Sequence, residues 1–126
     1  MTWNLQNGMV AEVVGMTKQL YTIGAVDDLL VDVVDETLRQ VFREEGAKVI
    51  YAFIKSNCHL KREEVAEKPK VFSSGLEELL GSAAPVIERL ILGNLYSRLQ
   101  LEYKEMEGYE FSDYAKELRK GAVVKR

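Results

Sequence analysis

Apolar residues recur three and four positions apart along most of this chain, the spacing of helices that pack through one face. Between Val26 and Glu45 they fall at Val26, Leu29, Leu30, Val33, Val34, Leu38, Val41 and Phe42, with Asp27 and Asp28 where a helix macrodipole favours negative charge. Gly46 offers a stop. A second set follows between Ala47 and Asn57, at Val49, Ile50, Phe53 and Ile54. The phase of Leu38, Phe42, Val49 and Phe53 permits one continuous helix, but so long a helix is unusual in a small domain. The pattern is therefore read as two helices.

Cys58 to Lys68 is polar, a connector with one helical turn around Glu63–Ala66. Pro69 suits the first turn of a third helix, where its missing N–H costs nothing. Val71, Phe72, Gly75, Leu76, Leu79 and Leu80 supply that helix's stripe, and Gly81 stands where a left-handed cap belongs. Ser82 is a good N-cap for a fourth helix and Pro85 is tolerated in its first turn. Val86, Ile87, Leu90, Ile91, Leu95 and Leu99, broadened by Leu92 and Tyr96, predict a central helix covered on several sides. A turn around Gly108 precedes a fifth helix, capped by Ser112, with Tyr114, Ala115 and Leu118 facing inward and Gly121 ending it.

The fold class expected is all-α, a bundle of about five helices in one domain spanning 1–126. Residues 1–16 differ: Asn7-Gly8 signals a turn and Met9–Val14 is rich in β-formers, giving either a short strand or hairpin or an extension. Residues 122–126 read as a frayed tail.

A chain of 126 residues, 47% hydrophobic and 29% charged, can bury one core without a disulfide or a structural metal. The net charge of −3 gives no overall basic excess of the kind that duplex binding exploits. Cys58 is the only cysteine, which fits a reducing cytoplasm, and no apolar run approaches the ~20 residues that span a bilayer.

No catalytic, cofactor-binding or metal site is expected. Cys58 and His59 are adjacent, and neighbours on a helix do not face each other, so they read as helix-end residues. Asp28, Asp32, Asp35 and Glu36 share a helical side that reads as a solvated face. Phosphate-binding loops and the Gly-x-Ser-x-Gly elbow are missing. Lys61-Arg62, Lys68, Lys70, Arg119, Lys120, Lys125 and Arg126 give only modest basic neighbourhoods, diluted by Glu63, Glu64 and Glu67. The candidate partner-binding residues are the aromatics of the last third: Tyr96, Tyr103, Tyr109, Phe111 and Tyr114. Aromatics anchor interfaces by burying large area while keeping a polar tip. The alternative is that they pack the last helix onto the core.

From about Ile50 to Lys120 the chain resembles a small helical domain of archaeal proteins, an output-type domain named for Nitrosopumilus. The residues that carry the likeness are Leu60-Lys61-Arg62-Glu63-Glu64-Val65, Lys68-Pro69-Lys70-Val71-Phe72, Leu76–Ser82 and Gly108–Tyr114. The resemblance implies an archaeal origin and a signalling or regulatory association, and brings no catalytic residues. The resulting expectation is a non-catalytic protein-interaction or regulatory module, with a protein partner or self-association. The alternatives are a DNA-associated regulator and a bundle that carries an apolar small molecule.

Overall fold

The three-and-four spacing is realised as helix. The computed structural model describes residues 22–121. They form α1 (Ile23–Cys58), α2 (Pro69–Leu80), α3 (Ala84–Arg98) and α4 (Phe111–Lys120), with 3₁₀ turns at Arg62–Glu64 and Gly81–Ala83. The class is all-α. Four α-helical elements stand where five were expected, because the first two expected helices join into one 36-residue element. The N-terminal segment 1–16 and the tail 122–126 lie outside the described residues. Among the described residues, no helix is long and apolar enough to cross a membrane.

Thr22 starts α1, its Oγ1 accepting the Ala25 N–H at 3.0 Å. The element is sharply bent. Arg43 alone inside it leaves helical geometry, with φ 65° and ψ −177°. The Tyr51 hydroxyl reaches the Asp35 carboxylate at 3.0 Å across a separation of 16 residues. In a straight helix those positions would lie about 24 Å apart, so the arms 23–42 and 44–58 fold back on each other. The break was expected at Gly46, and it falls three residues earlier. Gly46 serves the bend differently: a Cβ there would meet the Phe42 Cβ at 2.6 Å. Its lack of a side chain lets the turn close.

Pro69 occupies the first turn of α2, and Gly81 ends that helix at φ 60°. Ser82 does not cap α3. The chain passes through a 3₁₀ turn first, which leaves Ala83 at the N-cap position without a side-chain bond. Nor does Ser112 cap α4. It is buried one residue inside the helix, and Glu110 and Asp113 form a reciprocal capping box, with the Glu110 N–H on Asp113 Oδ2 at 2.7 Å.

The core is gathered from every helix. Leu38, Phe72, Leu76, Ile91, Leu95 and Leu99 are fully buried, each contributing roughly 1.5–3 kcal/mol by removal from water. Gly75 permits the close approach of α1 and α2: a Cβ there would stand 3.0 Å from Cys58 Sγ and 3.2 Å from Ile54 Cγ1. α3 is less enclosed than its composition suggests. Ile87, Ile91, Leu92 and Leu95 are buried, while Val86 and Leu90 remain 48% and 46% exposed. Its apolar residues outnumber the neighbours available to cover them.

Candidate functional site

Two helices contribute one side each to an open cleft. From α2 come Lys70, Ser73, Ser74 and Glu77, and from α3 come Pro85, Glu88, Arg89 and Leu92. Both sets have the spacing i, i+3, i+4, i+7 of a single helical face. The far wall is the stretch 103–114, which adds Tyr103, Glu105, Met106, Glu107, Tyr109, Glu110, Phe111, Ser112 and Tyr114 and encloses about 710 Å³.

The far wall is held by tyrosines. The Met106 N–H donates to the Tyr114 hydroxyl at 2.7 Å, tying the loop down onto α4. Tyr103 and Tyr109 stand edge-on to Tyr114, with ring centroids 5.6 and 5.0 Å away, and Tyr96 lies tilted against Tyr103 at 5.3 Å. Such pairs contribute about 0.5–1.5 kcal/mol each beyond area burial. The Tyr109 hydroxyl bonds to Glu117. Phe111 turns the other way and packs on Phe72 at 5.9 Å.

The structure therefore divides the five candidate aromatics. Phe111 and Tyr114 are buried core residues that also edge the cleft, and Tyr103 and Tyr109 line it while partly exposed. Tyr96 stands behind the wall, supporting Tyr103. Ser73, Glu88, Glu105 and Met106 were not singled out by the sequence. The matching polar stripes on two successive helices were the available signal.

Electrostatically the cleft is acidic. Glu77, Glu88, Glu105, Glu107 and Glu110 face only two cations, Lys70 and Arg89, and Arg89 is already paired with Glu105 at 3.3 Å. Glu88 accepts a hydrogen bond from the Ser73 hydroxyl. Burial pushes the Glu88 carboxyl up. The Ser73 bond opposes that shift, while the charges of Glu77 and Glu110 add to it. Burial also raises the Tyr103 hydroxyl to about 12, reinforced by Tyr114 and Glu105.

No family model, curated protein or solved structure matches this chain.

The other candidate positions are engaged elsewhere. Asp35 receives Arg39 Nε at 2.9 Å, Arg62 at 3.1 Å and the Tyr51 hydroxyl, and Arg62 lies over the Tyr51 ring at 5.4 Å. Burial alone would raise the Asp35 carboxyl, but these hydrogen bonds and the Arg62 charge outweigh it and hold it low. Arg98 pairs with Glu36, and Arg119 with Asp27 at 3.0 Å. Cys58 ends α1, and His59 caps it in the left-handed region at φ 54°, its N–H on the Lys55 carbonyl at 3.1 Å. Among the described residues, no three metal-ligating side chains gather into one group.

Proposed function

We propose that this chain is a non-catalytic, cytoplasmic partner-binding module of regulatory type, whose cleft between α2, α3 and the 103–114 wall receives a basic segment of a partner protein. The observation that carries this reading is the cleft's composition: tyrosine surfaces and a half-exposed Met106, set among carboxylates that outnumber the cations. Aromatic and methionine side chains supply adaptable contact area. The uncompensated carboxylates select for Lys or Arg through charge complementarity.

The two alternatives draw less support. A carrier of apolar molecules needs a predominantly apolar lining, and this cleft is walled mainly by charged and polar groups. For a DNA reader, the α3 cations Arg89 and Arg98 would have to face phosphate or bases, and both are tied to glutamates.

Panning a random peptide library on the full chain tests the reading. Enriched sequences are expected to carry Lys or Arg beside an apolar residue, to bind less tightly as salt rises, and to lose binding to a Glu105→Gln, Glu107→Gln, Glu110→Gln variant. Enrichment of acidic or wholly apolar peptides would sink the proposal.

A further inference from the structure

The bend in α1 has a backbone that its sequence opposes. At φ 65° and ψ −177°, Arg43 occupies a region that is essentially glycine's alone, and its side chain is exposed. The flanking run Gln40-Val41-Phe42-Arg43-Glu44-Glu45-Gly46-Ala47-Lys48 has no proline and consists largely of good helix formers. Gly46 and the Arg39–Glu44 ion pair across residue 43 favour the bend.

The contacts that hold the first arm in place are all made to residues beyond the bend. Asp27 meets Arg119, Asp35 meets Tyr51 and Arg62, Glu36 meets Arg98, and Thr37 accepts from Asn94 at 3.0 Å. A second copy of the chain presents the same partners in the same arrangement.

We propose that residue 43 is a hinge through which two copies exchange their 22–42 arms, α1 straightening in each. The 36-residue element would then run unbroken for about 54 Å, with its first arm seated on the partner. These contacts re-form with the partner, while straightening gives up the Arg39–Glu44 ion pair that spans residue 43 within each copy and releases the strain at Arg43 twice per dimer. Short strained hinges are known to favour such swapping. Val41 and Val49, 43% and 61% exposed on either side of the bend, come to lie where the two straightened helices pass each other. This self-association is independent of the cleft.

The hinge allows a test with two substitutions of opposite effect. The full chain is refolded from urea over a range of concentrations, and sedimentation velocity reads the fraction at twice the 14.3 kDa monomer mass. Wild type is expected to give a dimer fraction that grows with concentration. Arg43→Gly relaxes the bend and weakens the straight helix, and should lower dimer formation by about tenfold or more at a given concentration. Gly46→Ala clashes with Phe42 only in the bent form, so it should raise the dimer fraction. If Gly46→Ala does not refold, the comparison of wild type with Arg43→Gly decides. The proposal is overturned if wild type stays monomeric at every concentration. It is equally overturned if Arg43→Gly leaves the dimer unchanged, or if Val86→Ser with Leu90→Ser abolishes it while Arg43→Gly does not.

Discussion

Two residues within one turn set the stability of the α1 bend, and they err in opposite directions. At Gly46 an added Cβ would lie 2.6 Å from the root of the Phe42 side chain, which cannot swing away. Overpacking of that kind costs about 1–3 kcal/mol, more than the ~1 kcal/mol that alanine gains over glycine in a helix. Gly46→Ala should therefore lower monomer stability by up to about 2 kcal/mol in urea denaturation at dilute protein. At Arg43 the balance reverses. The strained backbone costs about 1–3 kcal/mol, against the roughly 0.5–1 kcal/mol of extra chain entropy that glycine brings. Arg43→Gly should raise stability by about 1 kcal/mol in the same measurement. Sequence pattern pointed to Gly46 and missed Arg43, because a positive φ at an arginine leaves no trace in residue type.

At the scale of elements, the helices were legible where a single periodic stripe and a proline or glycine marked the end, as in α2 between Pro69 and Gly81. Caps that depend on tertiary placement were not. Ser82 and Ser112 have the right chemistry, yet the 3₁₀ turn and the burial of Ser112 gave their places to Ala83 and Glu110. The stripe at Val86 and Leu90 shows the same limit, since apolarity says what a face prefers and not whether a neighbour reaches it. The ionic cluster that joins the two arms of α1 is also a tertiary product. Asp35 accepts from Arg39 and Tyr51 and faces Arg62. Charge-assisted bonds of this kind contribute about 1.5–3 kcal/mol where partly buried. Asp35→Asn should destabilise the chain by about 1–3 kcal/mol, and Tyr51→Phe by less, since it removes one neutral donor. Thermal melts of both variants check the order.

For the whole molecule, the shifted groups set a pH profile. Asp27 and Glu88 are raised chiefly by burial, so the folded chain holds their protons more tightly than the unfolded one. Stability should then rise as pH falls from neutral towards the ordinary carboxylate range. Asp35 acts oppositely. Held low in the fold, its contribution is present above the ordinary aspartate value and is lost on further acidification. Tyr51 and Tyr103 are raised, Tyr51 by burial and the Asp35 carboxylate, and Tyr103 to about 12. Their contribution is complete below about 10 and disappears as pH climbs beyond it. Urea midpoints should thus peak on the mildly acidic side, and Glu88→Gln should flatten the slope between that peak and neutrality. The cleft itself was only half legible. Its tyrosines stood out in the sequence, while the opposing faces of α2 and α3 had meaning only once the chain had brought them together. One bond in that wall makes the cleft observable without any partner. The Met106 amide sits between exposed Glu105 and Glu107 yet donates to a buried tyrosine oxygen. In hydrogen–deuterium exchange it should be a slow amide in a fast loop, and Tyr114→Phe should bring it to the rate of its neighbours. That single proton is a clock for how often the wall lifts away from α4.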